Sequence, residues 1–292
     1  MKEKLLTAPN MNLLKLQRYQ TTDMDSQIRL GTETWESALY KGTLYDHQAP
    51  IDEFLRAYAA QYDTVEYHAS FQDVPSKREM RELRVEVSDV NPDFKFCPLV
   101  PRRISHEFPL GENKFDLQEF IEAIRELGPH LGPCILRLPE TLSPLQMKSL
   151  DRFYKNWPED LALAIHFTHL DWVKKESFLN LVARDLEGTN MSILLEDRIE
   201  APLNFGRLLS SSHLVVRFFG RPNLNQDEQR LAMWVFKLGE YRGYGIKQSH
   251  FILYEQEEMC LKILQKMANS IGGNVRVPKS FDETSNQLGF SF

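Results

Sequence analysis

FKFCP (Phe94–Pro98), FDLQEFIEAIRELG (Phe115–Gly128) and PCILRL (Pro133–Leu138) follow one another along the chain, and their order decides the fold class. The outer two are short apolar runs closed by polar residues, the pattern of buried strands. The middle one places Leu117, Phe120, Ile121, Ile124 and Leu127 on one helical face and stops at Gly128-Pro129. Strand, helix and strand in that order build a parallel pair, because parallel neighbours need a long crossover. The unit repeats in both directions, with further apolar runs at Ile28–Gly31, Thr64–His68, Leu163–Phe167, Ser192–Glu196, Leu214–Phe219 and Phe251–Tyr254. Eight runs alternating with helices predict an α/β fold, a single-domain (β/α)8 TIM barrel whose chemistry sits at the carboxyl ends of the strands. A doubly wound open sheet is the rival arrangement. The first βα connection carries no G-x-G-x-x-G, which argues against its dinucleotide-binding form.

The segments between the runs read as helices. Pro50–Tyr62 carries Phe54, Leu55, Tyr58, Ala59 and Tyr62 on one stripe. Ser76–Asp89 opens on a capping box, Ser76 with Glu79. Ser143–Asn156, Lys175–Glu187, Asp227–Tyr241 and Glu257–Ser270 supply later helices, and Ala201–Ser211 has room for only a couple of turns. Residues 1–27 read as an N-terminal tail, 28–271 as the barrel domain and 272–292 as a C-terminal segment without a clear period. No linker rich in Gly, Ser or Pro divides the chain.

Bulk properties narrow the function classes. The 292 residues carry a net charge of −6, which opposes a broad nucleic-acid footprint. Three cysteines, Cys97, Cys134 and Cys260, form no zinc spacing or disulfide framework, and the first two fall inside predicted strands as buried thiols. No run approaches the roughly 18 apolar residues of a membrane span. The N-terminal stretch lacks a signal-peptide pattern, so a soluble, cytoplasmic protein without a membrane partner is expected.

A set of short pieces occurs in order along the runs. They are Gly31-Thr32-Glu33-Thr34-Trp35 with Gly42 and Tyr45, Thr64-Val65-Glu66, Ser70-Phe71 and Pro75, then Phe94-Lys95-Phe96 and Ile104-Ser105-His106. Leu131-Gly132-Pro133 with Leu138-Pro139, then Phe167, His169 and Trp172, then Arg217 with Gly220 complete it. This set resembles the YecE-like family (domain of unknown function 72) over roughly residues 28–270. The resemblance implies a TIM barrel and a pocket at the strand ends, but no reaction. The chain also departs from the family pattern. Leu99 stands where the resemblance leads one to expect a lysine, His166 and Thr168 where it expects Glu and Arg, and Phe219 where it expects a histidine. His68 replaces an expected Asn, Arg137 an expected Gln, and Glu255-Gln256 an expected pair of asparagines. The resemblance thus implies a divergent member with altered specificity or lost activity.

The polar residues at the predicted strand ends are Glu33, Glu66, His68, Arg137, His166, His169, Glu196, Asp197, Arg217 and Glu255. Glu66 and His68 share a strand face because side chains alternate. A carboxylate buried there needs a cationic or hydrogen-bonding neighbour, and Arg217 is the one at hand. The catalytic candidates are Glu66, His166 and His106, the last placed near the pocket by the resemblance. The ligand-binding candidates are Trp35, His68, Arg137, His169, Trp172, Arg217 and Glu255. Arginines suit a phosphate or carboxylate, with internal pairing as the competing role. Trp35, Phe71, Trp172 and Phe219 form either a stacking wall or ordinary core. His68, His166, His169 and Glu196 have ligand chemistry but no metal-binding spacing, so no metal is assigned and the cofactor stays open. Two functions follow, with nucleic-acid binding or nuclease action a third that the acidic balance opposes. One is an enzyme acting on a small polar or anionic, sugar- or phosphate-like molecule. The other is a non-catalytic binding or scaffold protein, motivated by Leu99, Thr168 and Phe219.

Overall fold

Apolar runs flanked by turns form the ladders of a parallel α/β fold in the computed structural model, which describes residues 26–107, 109–174, 176–198, 208–220, 224–254, 265, 267–269 and 275. The strands are β1 (Gln27–Thr32), β2 (Thr64–Tyr67), β3 (Lys95–Pro98), β4 (Cys134–Arg137), β5 (Leu163–His166), β6 (Met191–Ile193), β7 (Leu195–Asp197), β8 (His213–Phe219) and β9 (Gln248–Tyr254). All pairings between them are parallel. Six strands make one sheet in the order β3-β2-β1-β9-β8-β7, and three make a second in the order β4-β5-β6.

The expectation of one continuous ladder is thereby refined. The run expected as a single sixth strand breaks at Leu194. Its first half pairs with β5 and its second half with β8. Leu194 still donates its N–H to the Ile165 carbonyl at 2.9 Å, so the chain changes partners within one residue. Between β3 and β4 only isolated bridges form, Phe96 with Leu131 and Leu99 with Ile135. The Gly132 N–H donates to the Phe96 carbonyl at 2.7 Å and the Val100 N–H to the Ile135 carbonyl at 2.8 Å.

Side-chain alternation sorts two apolar populations. One faces the helices: Phe94 packs edge-on against Phe96 at 5.0 Å, and Trp234 against Phe251 at 5.8 Å. The other is a small cluster of Cys97, Leu99, Ile135, Ala164, Leu194, Val215 and Ile252, drawn from both sheets. Cys97 and Cys134 are buried free thiols, and burial pushes the Cys97 thiol up to about 12.

The helices follow their caps. Lys77–Ser88 opens on the Ser76/Glu79 capping box. Lys114–Ile124 gives way to a tighter turn, Arg125–His130, in which Gly128 adopts φ 54° before Pro129. Leu224–Gly243 is longer than its apolar period suggested. Short helices at Ala69–Gln72, Arg102–Ser105 and Leu170–Lys174 follow β2, β3 and β5, and they are too short to show a period. Among the described residues no helix is long and apolar enough to cross a membrane. The expected tail before residue 26, most of the helix expected at Glu257–Ser270 and most of residues 272–292 lie outside the described residues.

Gly31 marks the tightest backbone approach. A Cβ there would stand 1.8 Å from the Thr64 carbonyl oxygen, across the β1–β2 pairing. The Tyr58 hydroxyl also locks this junction, accepting from the Thr32 N–H at 2.7 Å and donating to the Thr64 carbonyl at 3.0 Å. Replacing Gly31 by Ala is therefore expected to cost about 3 kcal/mol, at the upper end for overpacking. A urea titration checks this, and an unchanged midpoint would show that β1 and β2 separate without penalty.

Candidate functional site

A buried carboxylate organises the carboxyl ends of the strands. Glu66, in β2, has no exposed side-chain surface. Arg217, in β8, meets it with two parallel bonds, Nε to Oε1 at 2.8 Å and Nη2 to Oε2 at 2.9 Å. The Tyr254 hydroxyl, at the end of β9, donates to Oε2 at 2.6 Å, and His68 Nε2 stands 3.1 Å from the same oxygen. Burial alone would raise the Glu66 carboxyl. The Arg217 charge and the His68 contact outweigh it and hold the group at about 2. Burial, with Glu66 alongside, pushes the Tyr254 phenol well up, so it stays protonated and donates.

The third nitrogen of Arg217 reaches the other sheet. Nη1 lies 3.0 Å from Nδ1 of His166, the last residue of β5. A guanidinium can only donate, so Nδ1 accepts and the imidazole proton sits on Nε2. That nitrogen is 3.0 Å from Glu196 Oε1, its natural acceptor. Burial is the largest influence on His166 and lowers its proton affinity. Arg217 adds to the lowering and Glu196 opposes it, leaving the ring below its ordinary range. Burial would raise the Glu196 carboxyl, but His166 and Arg198 hold it at about 2. Arg198 Nε bonds Glu196 Oε2 at 3.1 Å, and its guanidinium lies 3.5 Å from the centre of the Phe219 ring, which packs on Tyr254 at 4.8 Å.

Glu66, His68, His166 and Arg217 are thus brought together, joined by Glu196. The expected cationic neighbour of Glu66 is Arg217. Two more candidates meet around the Phe71 ring. Arg137 ends β4, exposed and paired in register with His166, with its guanidinium 5.9 Å from the centre of the Phe71 ring. His106 meets the edge of the same ring at 5.4 Å, and its Nδ1 lies 2.8 Å from the Ser105 hydroxyl.

The remaining candidates sit elsewhere. Trp172 is fully buried, packed on Phe167 at 4.7 Å, with its indole N–H donating to the Leu142 carbonyl at 2.7 Å. Trp35 is stacked on Tyr67 at 5.8 Å within the helix-facing core. Both are packing residues here, because fused rings fill the space between sheet and loops and leave no face for a ligand. His169 accepts from the Asp171 N–H at 3.0 Å and caps a turn. Asp197 points the opposite way from Glu196, toward Trp234 Nε1 at 2.6 Å and Arg230 at 2.9 Å. Glu255 lies outside the described residues. Among the described residues no three His, Cys, Asp or Glu side chains converge to hold a metal ion. Tyr254 and Arg198 escaped sequence reading. Tyr254 was detectable as the polar-tipped residue closing the last strand, whereas Arg198 carried no periodic signal.

Comparisons with known proteins follow the same outline. A family model described as protein of unknown function DUF72 matches residues 29–285. The UPF0759 protein YecE of Escherichia coli O157:H7 and that of strain K12 are each 23% identical over 205 residues, 64% of this chain and 74% of theirs. Two crystal structures of a DUF72 family protein from Enterococcus faecalis V583 superpose with TM-scores of 0.61 and 0.63 at 17% and 18% identity. They cover 84% and 87% of this chain and 98% and 99% of their own. At that identity the likeness is one of fold.

The buried pair sets an acid limit to stability. Glu66 is held at about 2, below its ordinary 4.5, so its contribution is complete above pH 4.5 and is lost as pH falls toward 2. The loss amounts to about 3 kcal/mol across that window. Glu66→Gln is expected to flatten this part of the stability–pH curve, read by chemical denaturation at stepped pH. Arg217→Met, which strands the carboxylate, should cost about 3–5 kcal/mol at neutral pH, and the double substitution should recover part of it. A single Arg217→Met chain as stable as the parent would show that Glu66 is compensated elsewhere.

Proposed function

The chain belongs to the DUF72 family, and from that premise we propose that residues 28–271 form one (β/α)8 barrel carrying an acid–base site at its carboxyl rim. The barrel reading rests on three contacts between the sheets. The sixth strand hands over from β5 to β8 at Leu194. Bridges tie β3 to β4. The inner apolar cluster draws side chains from both sheets, as a filled barrel interior requires.

The functional reading rests on the Glu66–His68 contact. A fully buried, ionised carboxylate holds Nε2 of an imidazole whose side chain is 47% exposed. An ionised carboxylate only accepts, so the His68 proton sits on Nε2 and Nδ1 is left with a lone pair. Among the described residues no hydrogen-bond partner is found for Nδ1. This is the arrangement of a general base: Glu66 fixes the tautomer and stabilises the imidazolium, and His68 takes a proton at Nδ1. The substrate is a small polar molecule of the sugar or sugar-phosphate kind, and the reaction class is proton abstraction or activation of water.

A non-catalytic binding protein is the second reading. It is favoured by the mutual saturation of Glu66, Arg217, His166 and Glu196, which leaves those groups nothing to offer a substrate. Turnover of a panel of sugars and sugar phosphates, followed by proton NMR, separates the two. His68→Gln is expected to lower kcat by about 100-fold or more, with an unchanged melting curve because the ring is half exposed. Saturable binding without turnover, indifferent to this substitution, would select the binding protein.

A further inference from the structure

We propose that Arg137, resting on Phe71 beside His106, is an oxyanion subsite that holds the phosphate or carboxylate of the substrate at the rim. The inference deepens the acid–base reading by naming the charged group its substrate carries.

The arginines at this end of the sheets differ in what they already hold. Arg217 spends its donors on Glu66 and His166. Arg198 is bonded to Glu196 and lies flat on Phe219. Arg230 is taken by Asp227, Asp197 and the Phe219 carbonyl. Arg137 is different. It is exposed, it ends β4 on the strand face that carries Ile135 of the inner cluster, and among the described residues it makes no ion pair or hydrogen bond; it lies over an aromatic face.

That face orients the guanidinium without using its donors. A cation–π contact at 5.9 Å uses none of the donors, so all five N–H groups of the fork are open to an oxyanion. The neighbourhood also favours negative charge. Burial, then Arg137, then Arg102 depress the proton affinity of His106, so two cations already bear on this ring. Arg102 is only loosely offset by Glu107 at 3.8 Å, whereas Arg103 is committed to Asp116 at 2.8 Å. His106, its proton affinity lowered by these influences, offers a ring nitrogen that can donate or accept beside the anion.

The subsite also lies next to the proposed base. Phe71 follows His68 by three residues, its N–H donating to the His68 carbonyl at 2.9 Å. Phe71 also packs against the inner apolar cluster, as Tyr254 does. Phe71 thus links the two groups, its ring meeting Arg137 and its backbone bonding the residue of the proposed base.

The test uses the full chain with sodium phosphate and, separately, sodium acetate at constant ionic strength, reading the His106 imidazole resonances by NMR. Saturable shifts are expected with at least one probe, and the tighter probe identifies the group as phosphate or carboxylate. Arg137→Gln should weaken that binding by about tenfold or more, while Arg137→Lys, which keeps the charge but not the fork, should fall between. Arg152→Gln, which removes a surface arginine paired with Glu112, should bind as the parent does. Saturation unchanged in Arg137→Gln, or no saturable shift with either probe, overturns the subsite. Neither result bears on the His68 base, whose own readout is the kcat of His68→Gln.

Discussion

The arrangement depends on one constraint: a carboxylate with no access to water must be neutralised in place. Glu66 sits on a strand in the six-stranded sheet, and the guanidinium that neutralises it comes from β8 of the same sheet. Geometry then does the rest. A guanidinium whose Nε and Nη2 are both held by Glu66 has one nitrogen left, Nη1, and it finds His166 on the three-stranded sheet. Desolvating both ions is expensive, and attraction alone repays it poorly, so such a pair fixes arrangement more than it adds stability. Here it sets the orientation of Tyr254, His68 and His166 together, because each hydrogen-bonds one of the two ions.

The parallel α/β class was legible because strands buried on both faces read as mostly apolar runs. FKFCP and PCILRL could hardly have been anything else between their helices. The boundaries that moved did so for local reasons. The sixth run reads as one strand, but pairing is a relation between strands, and the change of partner at Leu194 leaves no mark on composition. Short helices after β2, β3 and β5 span too few residues to display a period.

Of the candidate site, what could be read was what alternation and charge balance dictate. The spacing of Glu66 and His68 puts them on one face, and a buried acid demands a cation. What could not be read was which long side chains fold back. Asp197 and Glu196 are neighbours in sequence and face opposite ways. Trp172 looks like a binding-wall residue until its indole N–H is found on the Leu142 carbonyl. The unusual residues of this chain also gain physical meaning. Leu99 belongs to the inner apolar cluster, Phe219 is a platform under Arg198, and Thr168 ties its loop to the Leu138 carbonyl at 2.7 Å. Each of the three makes a packing or backbone contact where the resemblance led one to expect a lysine, an arginine or a histidine.

The tautomer of His166 has one more consequence. With one nitrogen accepting from a permanent cation and the other donating to Glu196, this ring is an insulator in a wire that otherwise looks continuous from Glu196 to Glu66. A proton hopping onto it would have to displace the guanidinium first. The Glu66–His68 pair and the Glu196–Arg198 pair are thereby tied by hydrogen bonds through Arg217 and His166, yet the fixed tautomer closes that path as a proton relay.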